Sequence, residues 1–165
     1  MHSGASPGGW TQFLSSICDR VVAIDPGDLD EKIKTISNVV QIRALVQSSE
    51  CKEYMNKEMS SKADQPRCGS LCVCDMNINA IEAVELIIEH VLPYIRKSEG
   101  QMFSSYIILT LKLPKTPRRH DARENFIKKI TSKVIEKLEC MSCSDFKIIH
   151  LQSNSANERT LACKY

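Results

Sequence analysis

The chain has 165 residues, of which 42% are apolar and 25% charged, with six glycines and six prolines. That composition leaves room for one domain, residues 1–165, with a real core, and it excludes a disordered tail or a fibrous repeat. A net charge of +2 excludes a uniformly basic binder; no apolar run approaches the roughly 20 residues of a membrane span, and Met1 to Trp10 shows no secretory pattern.

In chain order, a Gly-rich segment from Gly4 opens onto a short helix, Trp10 to Cys18. Arg20 to Asp25 reads as a strand, Leu29 to Ile36 as a short helix, and Val39 to Arg43 as a second strand. Glu50 to Lys62 is polar and reads as part helix, part loop. Leu71 to Asp75 is a third strand. Ala80 to Lys97 carries Ile81, Val84, Ile88, Val91 and Ile95 at helical spacing, with Glu82, Glu85 and Glu89 off the stripe and Asn79 placed to cap. Tyr106 to Lys112 is the strongest strand. Arg123 to Leu138 aligns Phe126, Ile127, Ile130, Val134 and Leu138 on one side. Phe146 to Leu151 and Thr160 to Tyr165 complete the strands. These runs are continuously apolar, the pattern of strands buried on both faces. Strand–helix alternation implies an open α/β sheet, mostly parallel. Only the loop Gln152 to Arg159 separates the last two strands, which predicts an antiparallel C-terminal edge strand.

Eight cysteines are present. Without a leader, a reducing compartment is expected, cytoplasm or nucleus, with most thiols acting as small buried hydrophobes. A zinc site built from Cys68, Cys72, Cys140 and Cys143 is weak, because the two clusters lie far apart and no His completes a pair. No metal is expected.

The chemistry-bearing motifs begin with Gly4-Ala5-Ser6-Pro7-Gly8-Gly9-Trp10-Thr11. Glycines allow a tight turn and close approach of a ligand to the peptide plane. A helix start follows, with free N–H groups. Val21-Val22-Ala23-Ile24-Asp25 then places an acid at a strand end, where a carboxylate can accept from both hydroxyls of a ribose. Together they favour a nucleoside-containing ligand over a plain surface turn.

GASPGGWTQFL followed by VVAIDPG resembles the cofactor-binding start of the FtsJ-like RNA ribose methyltransferases. Val73-Cys74-Asp75-Met76, Leu109-Thr110-Leu111-Lys112 and Asn157-Glu158-Arg159 agree with that family in order and spacing. The resemblance implies a Rossmann-like class I methyltransferase core that binds S-adenosylmethionine through Gly4, Pro7, Gly8, Gly9, Trp10, Asp25 and Asp75. It implies methyl transfer to a ribose 2′-hydroxyl of RNA (ribosomal, transfer or capped messenger), with Lys112, Asp75 and Glu158 as three of four catalytic groups. Lys112 would act as a base, partly desolvated and titrating low. Asp75 would orient it, and Glu158 would hold the ribose or the lysine. Taken singly, each has a plainer role: a helix-region cap, a solvated strand-end charge and a loop carboxylate.

The sequence also departs from the family. The resemblance implies a first central strand carrying Asp-x-Gly ahead of the turn, and a helix before it bearing another catalytic Lys. Only Met1-His2-Ser3 precede Gly4. The first central strand is therefore expected to be missing, with a gap between the Arg20–Asp25 and Leu71–Asp75 strands. A mispredicted start, a truncated gene copy, or completion by another segment or partner would each account for that. Asn77-Ile78 stand where the family more often has a small residue and Pro after the Met, and Asn77 alters the floor of the substrate pocket. The Asn-Pro-Pro-aromatic tetrapeptide of amino-directed methyltransferases is missing. An inactive fragment, or a module that binds RNA or protein, is the alternative reading.

Lys112 to Lys137 holds nine Lys/Arg against three acids, a local balance of +6 that leaves the rest at −4. Such asymmetry steers a phosphate backbone to one side. Lys128, Lys129 and Lys133 are explained by a solvated helix face. Lys115, Arg118 and Arg119, directly after Lys112, are the stronger candidates for RNA contact. His90 and His150 read as ordinary imidazoles, and no phosphate-binding Lys follows the Gly-rich turn, so a P-loop is excluded.

Overall fold

The computed structural model describes residues 1–60, 69–95, 104–114 and 120–165. Its strands are β1 (His2–Ser3), β2 (Val21–Ile24), β3 (Val39–Ile42), β4 (Leu71–Cys74), β5 (Tyr106–Lys112), β6 (Ser144–Ile149) and β7 (Glu158–Lys164). Its helices are α1 (Gly9–Ser15), α2 (Glu31–Lys34), α3 (Ser49–Ser60), α4 (Ala80–His90) and α5 (His120–Glu139). One seven-stranded sheet runs in the order β3-β2-β1-β4-β5-β7-β6. The first five strands in that order are parallel neighbours, and β7 is antiparallel to both β5 and β6.

Two expectations are corrected. The central strand is short but not missing. His2 and Ser3 pair in parallel with Ala23 and Ile24 on one side and with Val73 and Cys74 on the other. The ladder extends beyond those two residues: Val73 N donates to Met1 O at 2.8 Å, Asp75 N to Ser3 O at 2.9 Å, and Gly4 N to Ile24 O at 3.0 Å. Four residues thus satisfy the inner edges that a gap would leave bare. The C-terminal strand is antiparallel as expected, but it is not the edge. β7 inserts between β5 and β6, and the edge falls to the exposed, bulged β6. The burial patterns explain the choice. β7 carries Leu161 and Cys163 at 0% and 1% exposure, whereas every β6 residue is exposed or half-buried.

Helices cover both faces. α3, α4 and α5 bury Met55, Ile87, Val134 and Leu138 against Cys72, Ile107, Leu109 and Leu161. α1 sets Leu14 on Val21 and Val73, and α2 sets Ile33 on Ala23 and Ala5. Asn79 caps α4, accepting from Glu82 N at 2.9 Å. α4 ends at His90, short of the expected Lys97, because Pro93 cannot continue it and a 3-10 turn follows at Leu92–Tyr94. Lys97 lies outside the described residues. No described helix is long and apolar enough to cross a membrane.

The buried and edge positions should separate on mutation. Leu161→Ala is expected to cost about 2–5 kcal/mol in urea unfolding, and Ile149→Ala on the exposed edge less than about 1 kcal/mol. Equal losses would contradict the assignment of β7 to the interior.

Candidate active site

The strand order reverses between β1 and β4, and the site lies at the C-terminal ends of the strands on either side of that point. The register sets its composition. Side chains alternate faces along a strand, so Asp25, Gly4, Asp75, Thr110 and Lys112 follow the α1 face of β2, β1, β4 and β5. Glu158 joins them, because β7 pairs Glu158 directly opposite Lys112.

The Gly-rich segment is held at several points. Gly4 has φ +77°, and a Cβ there would lie 2.6 Å from the Asp75 carbonyl and Met76 N, so only glycine fits against β4. Gly8 has φ +123° and presses on the Ile33 side chain as it enters α1. A Cβ on Gly9 would meet nothing within 4 Å; that open side, with Trp10 and Phe13, lines an apolar depression of about 440 Å³. The Trp10 and Phe13 rings meet edge to face, 6.2 Å apart. Pro7 contributes its carbonyl, which accepts from Asp30 N at 2.9 Å.

Asp25 has a role that sequence reasoning did not foresee. Its Oδ2 accepts from Ser6 N at 3.1 Å and its Oδ1 from Gly27 N at 2.7 Å. The carboxylate ties the Gly-rich loop to the turn after β2. Each oxygen retains a lone pair for a ligand hydroxyl.

The structure brings together all three proposed catalytic side chains. Lys112 Nζ donates to Glu158 Oε1 at 2.8 Å and lies 3.0 Å from Asp75 Oδ1. Side-chain exposures are 24% for Lys112, 31% for Asp75 and 19% for Glu158. The Asp75 contact is an ion pair off the hydrogen-bonding line, so its buried Oδ1 has charge compensation without an aligned donor. Burial alone would lower the Lys112 pKa, but the hydrogen bond to Glu158 and the close negative charge of Asp75 outweigh it and raise it above the ordinary 10.5. Lys112 is therefore held protonated, and the expectation that it titrates low is corrected for the ligand-free chain. Lys112 and the Ser155 N–H hold the Glu158 carboxyl below its usual range.

Three supports were not singled out by sequence. Ser155 N donates to Glu158 Oε2 at 2.8 Å. Arg123, read as part of the basic run, donates to the Ala156 carbonyl and so steadies the loop before β7. Leu113 N bonds Asn157 O at 2.8 Å, closing β5 onto that loop. Lys115, Arg118 and Arg119 lie outside the described residues, as does Cys68 of the zinc reading. No group of three metal-ligating side chains gathers among the described residues. Burial pushes the Cys72 and Cys74 thiols up to about 11 and about 12, which keeps them protonated. The open side of Gly9 and the strand-end carboxylates of Asp25 and Asp75 fit a nucleoside cofactor carrying a positive charge.

Gly4→Ala is expected to destabilise the fold by about 2–3 kcal/mol, a fall of roughly 5–10 °C in melting temperature. Glu158→Gln should cost about 1–2 kcal/mol at pH 7. Because the folded-state pKa of Glu158 is depressed, its contribution is present above the ordinary carboxyl value of 4.5 and is lost as pH falls through the lowered one. The two proteins should therefore converge in stability in acid. A constant difference down to pH 2 would refute the charge account.

Comparisons with known proteins agree with this geometry. The model of the FtsJ-like methyltransferases matches residues 1–157. The uncharacterized protein MJ1257 of Methanocaldococcus jannaschii is 30% identical over 161 residues; the match takes in 98% of this chain and 38% of that protein, so the chain spans well under half of its curated relative. A protein assigned as a ribosomal RNA methyltransferase from Plasmodium falciparum shares the fold, with a TM-score of 0.58 at 17% identity, covering 99% of this chain and 83% of that one. So does Aeropyrum pernix fibrillarin, solved with natively bound S-adenosyl-L-methionine, with a TM-score of 0.58 at 11% identity, covering 98% and 64%. With its glycine turn, its strand-end acids and a family match over most of its length, the chain belongs to the FtsJ-like, S-adenosylmethionine-dependent methyltransferases.

Proposed function

We propose that this chain methylates a ribose 2′-hydroxyl of RNA. The observation that carries the reading is the Lys112–Asp75–Glu158 cluster beside the glycine loop, at the strand ends where the order reverses. S-adenosylmethionine supplies, when bound, an electrophilic methyl group on a positively charged sulfur. The accepting hydroxyl is a poor nucleophile and needs a group to take its proton.

Lys112 takes that task in this reading, and its two carboxylates control when it acts. In the free chain they keep the ammonium charged. Asp75 would balance the cofactor's positive charge, and with its hold on Lys112 so weakened the lysine's affinity for its proton would fall. Lys112, having released its own proton to water, would then accept the hydroxyl proton, and Glu158 would hold the resulting ammonium in a charge-assisted bond. Gly9 leaves room for the ligand, and Asp25 keeps the loop in place while offering lone pairs to ribose hydroxyls. The basic segment Lys115, Arg118 and Arg119, next in sequence to Lys112, is the proposed phosphate-contacting stretch. An intracellular site of action, cytoplasm or nucleus, suits the seven described free thiols.

The proton held on Lys112 favours a second reading, a non-catalytic RNA-binding module in which the ammonium is structural. Transfer of a labelled methyl group to unmodified transcribed ribosomal RNA separates the two. The expected product resists alkaline cleavage at the methylated residue, because its 2′-oxygen is blocked. Lys112→Met should lower the transfer rate at least about 100-fold while calorimetric affinity for S-adenosylmethionine stays within about threefold. No transfer by the parent chain would favour the module. Label released by alkali as mononucleotides would move the target to a base.

A further inference from the structure

His2 is the least expected residue near the site. It sits on β1, abreast of Ala23 and Val73. Its side chain is 1% exposed, in a layer where Leu14, Val21 and Val73 pack together. Its Nδ1 lies 2.8 Å from Thr11 Oγ1, and Thr11 is fully buried on α1. Its Nε2 is buried with no partner among the described residues. Burial first, and the Met1 ammonium second, push the imidazole down to about 4, so the ring is neutral near pH 7.

Stability does not account for this pair. A buried polar group costs free energy unless it is bonded, and here one ring nitrogen has no partner among the described residues. Replacing both partners by apolar groups of similar shape is commonly neutral or stabilising. A directional bond does what apolar packing cannot. It fixes the rotation of α1 about its own axis, and with it the position of Gly9 and Trp10 relative to β1.

The place of the bond in the loop points the same way. His2 precedes Gly4 and Thr11 follows Trp10, so the bond closes the Gly-rich segment from strand to helix. The other ties on that segment come from the β2 side: Ile24 O to Gly4 N, Asp25 to Ser6 N, Asp28 O to Ser6 Oγ, and Asp30 N to Pro7 O. Among the described residues, the β4 side offers the close approach of Asp75 to Gly4. His2–Thr11 is the inner tie that opposes them.

We propose that His2 is a positioning residue for the cofactor turn, acting through Thr11 to hold Gly8–Trp10 in its binding geometry. The proposal rests on the reading of that turn as the S-adenosylmethionine site. Side-chain geometry makes it testable. An asparagine amide reaches about where Nδ1 stands, and a glutamine amide about where Nε2 stands. His2→Asn and Thr11→Ser should therefore keep calorimetric affinity for S-adenosylmethionine within about threefold of the parent. His2→Gln and the doubly apolar His2→Leu/Thr11→Val should weaken it about tenfold. The double variant should melt at or above the parent temperature, which a purely structural role would not allow alongside lost affinity. Parental affinity in the double variant overturns the proposal. So does the reverse pattern, with glutamine rescuing and asparagine failing, since Nε2 would then meet the ligand itself. Amide hydrogen exchange at Gly8–Thr11 in the ligand-free chain distinguishes this failure from failure of the cofactor reading. Faster exchange in the double variant, with no binding by the parent, would sustain the clamp and refute the cofactor site. Unchanged exchange would refute the clamp.

Discussion

The site depends on the parallel ladder that Met1 to Gly4 make between β2 and β4. That ladder is only a few bonds long, yet it brings the ends of two outer strand sets to one line. Without it, Asp25 and Asp75 would end strands with unpaired inner edges and no defined spacing. With it, Gly4 touches the Asp75 backbone and both acids flank the same turn. A side chain at Gly4 would push β1 and β4 apart, so one residue without a Cβ sets the distance across the point where the strand order reverses. Each parallel pair then extends the frame, out to Ile42 on one side and Leu109 on the other.

Electrostatics at Lys112 follow from that frame. Two carboxylates reach one ammonium because β5 stands between β4 and β7, and the pleat turns all three side chains to one face. Such a group is partly desolvated, which by itself would favour the neutral amine. Two close anions outweigh that in the free chain. The arrangement suits a residue whose proton affinity depends on which charges are nearby. A lysine with a single carboxylate would be less firmly charged at rest and would respond less when a cation competes for its partner.

Much of this was legible in sequence. Apolar runs identified six of the seven strands; in β2 and β4 they reflect burial on both faces, whereas β6 is apolar in sequence yet exposed at the edge. The spacing of Val84 and Val91 and the cap at Asn79 located α4, although Pro93 stops it earlier than apolar periodicity suggested. The Lys112–Asp75–Glu158 meeting was implied by family resemblance alone, since nothing local in residues 75, 112 and 158 says that they share a face. β1 was illegible, because two residues carry no periodicity and their strand character comes from neighbours already in place. The position of β7 was likewise set by tertiary packing: the more apolar strand took the interior, and β6 took the edge. Asp25 was expected to face a ligand, but its bonds to Ser6 and Gly27 show that a strand-end carboxylate can also build the loop it serves. The direction of the Lys112 shift depends on distances of 2.8 and 3.0 Å, which no spacing rule supplies.

The distribution of unsatisfied atoms ties these points together. Four buried side-chain atoms lack hydrogen-bond partners among the described residues: His2 Nε2, Ser3 Oγ, Asp75 Oδ1 and Arg123 Nε. Three of the four belong to β1 or to the residue that ends β4, around one strand crossing. The fourth belongs to the arginine that steadies the loop carrying Glu158. Elsewhere among the described residues, buried side-chain polar groups follow the usual rule and are paired. Local rules are broken where a fold is shaped for something other than its own stability. An apolar β1 would pack against Ala23, Val73 and Leu14 at lower cost, yet it would leave the turn above it free to rotate with α1. The polar atoms retained there oppose stability and favour geometry, in the part of the sheet where a ligand would have to be held in one orientation.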